Sequence, residues 1–297
     1  MITYEGTERR VEDVDHGDHL CLPFADDAEQ RRVATGYLAA GLRRGERVMY
    51  FADRSAPQDV LAWLSGAGID PRPALDSGRL VVTTAAESYL ASGTFDADAM
   101  VAALRREVGD SLAAGHTGFR VSGEMGWALD PVPGADRLAE YETKVGAVFA
   151  GHRASAVCQY DARRFSPEQL DTLGRCHLGA VEQEPLHSDG TLRLVPSFPQ
   201  GRRTLRVVGS VDHRTTDALA RALAAMTRWP GDLRVDMREL EFIDLAGVRV
   251  LARAAAALGE GRRLHVVELA PLLCQVIGMV GFDTTPALIV TAREVPA

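Results

Sequence analysis

Apolar positions along the chain keep changing period, from short runs or strict alternation to a spacing of three and four residues. The first run, residues 19–24, puts His19 and Cys21 on one face and Leu20 and Leu22 on the other, as a strand does. Helical spacing takes over across 29–42 through Val33, Tyr37 and Ala40, with Gly41 and Gly45 near its end. Residues 47–51 then read as a buried strand. The beat continues with a helix over 58–64, a strand over 79–83, a helix over 98–114 and a strand over 118–122. A helix over 135–149 and a strand over 154–160 follow. A last helix opens at Ser166, where Pro167 suits the first turn and Gln169 a capping box. Strands separated by helices predict right-handed crossovers and a mostly parallel sheet covered on both faces.

The pattern breaks across 183–200, where Pro185, Ser188, Asp189, Gly190, Pro196 and Pro199 supply turn chemistry. The expected division is a first α/β domain over 1–185, a linker over 186–201 and a smaller α/β domain over 202–297. Residues 191–195 could still add an edge strand to the second domain. There the order is strand, helix, strand, helix, strand, helix, strand. The first helix carries Leu219, Leu223 and Met226 on one face, and the second Val248, Leu251, Ala255 and Leu258.

Three segments of the second domain resemble a STAS domain, the fold of bacterial anti-sigma-factor antagonists. They are Gly209-Ser210-Val211-Asp212, Asp236-Met237-Arg238-Glu239-Leu240 and Phe242-Ile243-Asp244-Leu245-Ala246-Gly247-Val248. The resemblance implies docking to an anti-sigma factor or related kinase through Asp212, Asp244, Leu245, Ala246, Gly247 and Arg249. In phosphorylated members of that family a serine opens the second helix and receives phosphate from a kinase anti-sigma factor. Phosphate gains there from the helix dipole and free N–H groups, while its charge disrupts a partly apolar docking surface. Here Leu245 and Ala246 stand at the two serine positions, and neither has a hydroxyl. The expectation is a docking module that works without phosphorylation. Asp244 can equally be a cap of the second helix, and Asp212 of the first.

The first domain resembles the MEDS sensory module, described in methanogens and methylotrophs and in a dichloromethane-responsive regulator. The resemblance rests on His16-Gly17-Asp18-His19-Leu20-Cys21, on residues 41–48 and on residues 158–165, with His177 also fitting. The same stretch is similar to a RecA/KaiC-type nucleotide-binding fold. A P-loop, however, needs glycines and a lysine to cradle phosphates. The turn after the first strand reads Ala25-Asp26-Asp27-Ala28-Glu29-Gln30-Arg31, with three carboxylates and neither residue type. ATP hydrolysis is not expected, and no catalytic residues are assigned.

Ligands of open parallel sheets bind at the carboxyl ends of the strands. That rule points to Asp53, Glu124, Trp127, Asp161 and Arg164, joined by His19 in the first strand and His177 on the apolar face of the last helix, as a sensory pocket. Plainer readings stand beside these: Asp53 and Asp161 as helix caps, Trp127 and His177 as core, and His19 as hydrogen-bonded to a neighbouring backbone carbonyl. His19, Cys21, Cys158 and His177 are of the types that bind zinc, but they form no short-spaced pair, so no metal or other cofactor is expected.

Composition narrows the partners. A net charge of -8 argues against non-specific nucleic-acid binding, and leaves protein partners or small ligands. The four cysteines are scattered, which suits reduced thiols in a cytoplasm. No apolar run approaches the ~20 residues of a membrane span, and the polar start lacks a signal-peptide core. The leading expectation is a non-enzymatic signalling protein, a sensor joined to an antagonist-like effector. The alternatives are a nucleotide-binding or ATP-hydrolysing RecA-like protein and a structural scaffold.

Overall fold

The structure, a computed structural model, describes residues 7–279, 281 and 285–293. The chain divides between Glu182 and Gln183 into two compact units.

The first unit contains β1 (Thr7–Arg9), β2 (His19–Phe24), α1 (Asp27–Arg44), β3 (Arg47–Ala52), α2 (Pro57–Gly66), α3 (Arg72–Asp76) and β4 (Leu80–Thr84). It continues through α4 (Ala97–Ala113), β5 (Phe119–Glu124), α5 (Leu138–Phe149), β6 (Ala154–Asp161), α6 (Pro167–Gly174) and β7 (Gly179–Val181). The seven strands pair in parallel in the order β1-β7-β2-β6-β5-β3-β4. Local chemistry sets the ends of the helices. Asp26 caps α1, Gly45 ends it in the left-handed conformation, and Ser166 and Gln169 form the expected capping box of α6.

Because strand side chains alternate, the sheet has two cores. Cys21, Met49, Phe51, Phe119, Val121, Ala156, Cys158 and Tyr160 pack under α4, α5 and α6. Leu20, Leu22, Val48, Tyr50, Ala52 and Val157 pack under α1 and α2. The stretch from Gly41 to Val48 serves that second core. Arg120, on β5, is buried with Glu46, its Nε donating to Glu46 Oε2 at 2.6 Å. The guanidinium also lies 4.4 Å above the Tyr37 ring. A Cβ at Gly41 would stand 2.8 Å from Arg120 Cδ, so only glycine lets α1 pass this close.

The second unit holds β8 (His187–Ser188), β9 (Leu192–Ser197), β10 (Thr204–Val211), α7 (Thr216–Met226), β11 (Leu233–Asp236), β12 (Leu240–Ile243), α8 (Leu245–Ala256), β13 (Leu264–Leu269), α9 (Pro271–Met279) and β14 (Leu288–Ala292). Its sheet runs β14-β13-β11-β10-β9-β8, with β12 also on β10. The pairs β10–β11, β10–β12, β11–β13 and β13–β14 are parallel, and β9 is antiparallel to both its neighbours.

The expected linker over 186–201 is corrected here, because half of it is sheet. Asp189 Oδ1 accepts from the N–H groups of Thr191 and Leu192 at 2.7 and 2.8 Å, which closes a hairpin between β8 and β9. Aspartate and glycine mark hairpin turns as well as linkers. Pro196 pairs with Leu205 of β10, beyond the reach of short β8, where a missing N–H costs nothing.

Candidate functional site

The seven residues expected to share one pocket separate into two groups, with Asp161 in neither. Side-chain alternation is the reason: His19 on β2 projects to the α5 face, whereas Glu124 on β5 projects to the α1 face beside Tyr50. Asp161 accepts from Arg163 Nε at 2.8 Å and from its N–H at 2.9 Å. Neither Asp53 nor Asp161 caps a helix, since α2 and α6 start from Ala56 and Ser166.

At the carboxyl ends of the strands the chain answers its own hydrogen-bonding groups. Glu124 Oε2 accepts from three successive N–H groups, those of Asp53, Arg54 and Ser55, at 2.9, 2.7 and 3.1 Å. Its Oε1 accepts from the Tyr50 hydroxyl at 2.8 Å. The turn before α1 is filled in the same way. Asp26 Oδ1 accepts from the N–H groups of Ala28 and Glu29 at 3.0 and 2.9 Å, and Glu29 Oε2 from that of Ala25 at 2.7 Å. Carboxylates thus occupy the backbone donors that a phosphate would use.

Beside Glu124, three buried polar atoms make no hydrogen bond: Asp53 Oδ2, Arg164 Nη1 and Trp127 Nε1. Asp53 and Arg164 face each other at 3.8 Å. A Cβ at Gly126 would lie 2.5 Å from both, so a glycine is what lets them meet. Burial and the Glu124 carboxylate push Asp53 up, with Arg164 opposing. The Trp127 ring packs with Tyr89 and Phe95, at centroid distances of 5.4 and 4.7 Å.

The other group lies on the α5 face, where His19, Cys158 and His177 meet Glu142, all buried. His19 Nε2 lies 3.2 Å from Glu142 Oε2 and 3.5 Å from Cys158 Sγ. Tyr160 donates to Glu142 Oε1 at 2.7 Å. Burial works against the Glu142 carboxylate, but the His19 hydrogen bond, the electrostatic pull of the His177 and His19 rings and the Tyr160 hydrogen bond together hold the group below its usual range. Burial and the same carboxylate raise Cys158, so it is a thiol. Cys21 pairs with Cys158 across the strands yet stays outside the group.

His177 does not lie on the last helix. That helix ends at Gly174, and the His177 ring Nδ1 turns back to the Leu173 carbonyl at 2.8 Å, satisfying an acceptor left by the helix end. Burial and neighbouring His19 lower His177 to about 3, so the ring is neutral. Glu142 escaped the sequence reading although a signal existed. With Leu138, Val145 and Phe149 it occupies the buried stripe of α5, where a carboxylate requires partners.

Residues 18–178 match the MEDS domain, described as the methanogen/methylotroph, DcmR sensory domain. The chain belongs to the MEDS family. Residues 196–291 match the Mlab, STAS domain family. The transcriptional repressor DcmR of Methylorubrum extorquens is 24% identical over 160 residues, 53% of this chain and 57% of that repressor. Two solved structures are similar. One, an anti-sigma factor antagonist from Mycobacterium paratuberculosis, is 26% identical with TM-score 0.31, covering 34% of this chain and 88% of that one. The other, a KaiC-like protein from Pyrococcus horikoshii, is 12% identical with TM-score 0.42, covering 65% and 85%. The chain thus carries a MEDS sensory domain followed by a STAS domain, an arrangement that suggests a regulatory role.

In the STAS domain the expected docking segment forms the start of α8. Asp244 is its N-cap, accepting from the Gly247 N–H at 2.8 Å, so the capping alternative describes its contact. Leu245, Ala246 and Arg249 are exposed, as is Phe242 on β12. Gly247 is corrected. It is buried, and a Cβ there would stand 2.7 Å from Ile243 Cγ1 and Val211 Cγ1, so it seats the helix rather than meeting a partner. Asp212 is held by Arg214, whose Nη2 lies 3.0 Å from Oδ2. Among the described residues no helix is long and apolar enough to cross a membrane.

Proposed function

We propose that the protein is a non-enzymatic sensor and effector whose STAS domain docks on an anti-sigma factor or related kinase without being phosphorylated at the usual site. The observation that carries this is the apolar surface at the start of α8. Phe242 and Leu245 remain 53% and 42% exposed beside Ala246, with no hydroxyl where a phosphorylated relative carries one. Exposed aromatic and aliphatic residues beside a polar rim suit a protein interface. A docking surface that cannot acquire phosphate at these positions needs another control, and the MEDS domain supplies the place for it. The sensory ligand is assigned to the neighbourhood of Gly126, where buried atoms of Asp53, Arg164 and Trp127 lack a hydrogen bond and call for a polar partner. Such a ligand acts on docking only by binding two states of the protein unequally.

Calorimetric titration of the chain into anti-sigma kinases of its own organism tests the docking role. Binding is expected for one of them, and Leu245→Glu is expected to weaken it at least tenfold, about 1.4 kcal/mol, with unchanged melting. Equal affinity of the variant overturns the assignment of this surface.

A further inference from the structure

We infer that His19, Glu142, Cys158 and His177 form a closed four-coordinate site for a divalent transition metal, with zinc as the expected occupant. The site takes no part in the docking surface or in the Asp53–Arg164 group, and it stands or falls independently of both.

Geometry is the first argument. The four candidate ligand atoms lie within 4.8 Å of one another. Four of their separations are 3.2 Å (His19 to Glu142), 3.5 Å (His177 to Glu142), 3.5 Å (Cys158 to His19) and 3.4 Å (Cys158 to Glu142). A tetrahedron built with zinc bonds of about 2.0–2.2 Å to nitrogen and oxygen and about 2.3 Å to sulfur has edges of about 3.3–3.6 Å. Four of the six edges already stand close to those lengths.

The surroundings orient these atoms as supports of a metal do. A carbonyl only accepts, so the His177 Nδ1 facing Leu173 O at 2.8 Å carries the proton, and Nε2 presents a lone pair to the group. Glu142 gives Oε1 to the Tyr160 hydroxyl and turns Oε2 inward. A Cβ at Gly146, one turn beyond Glu142, would stand 3.4 Å from His19 Nδ1, so α5 brings its smallest residue against the ring.

Charge completes the case. Zinc binding forms a sulfur–zinc bond, and the Cys158 thiol proton leaves to solvent. One thiolate, one carboxylate and two neutral imidazoles then balance a dication, giving a site without net charge in a dry interior. Thiolate and imidazole exclude magnesium and calcium as occupants. Four protein ligands leave no open position, which is the arrangement of a structural metal rather than a catalytic one. The strand β2, the strand β6, the helix α5 and the turn after α6 would be tied at one point.

The test uses the reduced 297-residue chain, stripped with a chelator, loaded with zinc or cobalt(II) and separated from free metal. One retained equivalent is expected by elemental analysis, and the cobalt form is expected to show tetrahedral visible bands with a thiolate-to-cobalt charge-transfer band. Cys158→Ser is expected to lose that band, whereas Cys176→Ser and Cys274→Ser keep it. Tyr160→Phe retains all four ligands and keeps the fold in hand should the cysteine variant fail to fold. It is expected to lower zinc affinity about 10–100-fold. No retained metal in the wild-type chain, the same charge-transfer band in folded Cys158→Ser, or unchanged zinc affinity in Tyr160→Phe would each overturn the site.

Discussion

Substituting Glu46→Gln strips the counter-charge from Arg120 at almost constant volume. The two side chains are 1% and 0% exposed, so water cannot take over the lost interaction. The amide oxygen introduced by the substitution can still accept one hydrogen bond, and Tyr37 O and Val14 O still accept from the guanidinium at 3.2 and 3.5 Å. What is lost is charge balance around a buried cation. Breaking such a pair from one side typically costs about 3–5 kcal/mol, and the retained hydrogen bonds place this case near about 3 kcal/mol. For a unit of this size that is a melting shift of roughly 6–12 °C. Urea unfolding followed by circular dichroism measures it, with the transition of the second unit as an internal reference. A double substitution, Glu46→Leu with Arg120→Met, is expected to recover most of the loss, because an apolar pair needs no counter-charge. A loss below about 1 kcal/mol for Glu46→Gln, the range of exposed pairs, would show that water reaches the pair and that the stretch from Gly41 to Val48 is not there to hold Arg120.

Other outcomes follow from the same contacts. Gly247→Ala is expected to cost about 1–3 kcal/mol through overpacking against Ile243 and Val211, whereas Ala246→Ser, on the exposed side of α8, stays within about 0.5 kcal/mol; thermal unfolding of the two variants separates seating from surface. ATP with magnesium is expected to leave the melting temperature unchanged, because Asp26, Glu29 and Glu124 hold the backbone donors a phosphate needs; a dose-dependent rise would restore the nucleotide-binding alternative.

Much of the fold was legible because period and burial coincide. Residues 48–51 are apolar throughout and 154–160 mostly so, and both became interior strands, while the spacing of Val33 and Tyr37 marked α1. The three residues of β7 are too few to show a period, and the hairpin at Asp189-Gly190 shares its residue types with a linker. The site was harder to read because sequence order does not say which face of a strand meets which helix. His19 and Glu124 were placed at one edge of the sheet, yet alternation sends them to opposite faces. His177 fitted the apolar stripe of α6 by spacing, but the helix ends at Gly174 and the ring folds back onto it. Glu142 could be flagged as a carboxylate in the apolar stripe of α5, but its partners Tyr160, His19 and Cys158 come from other elements that its sequence spacing does not reveal.

The most direct test of the central claim compares the affinity of this chain for its cognate anti-sigma kinase with magnesium and either ATP or a non-hydrolysable analogue, while the mass of the chain is followed. The same dissociation constant in both nucleotides, and an unchanged mass for the segment from Phe242 to Val248, is the predicted result. A complex that weakens about tenfold or more in ATP alone, about 1.4 kcal/mol, with phosphate found in that segment, would contradict it.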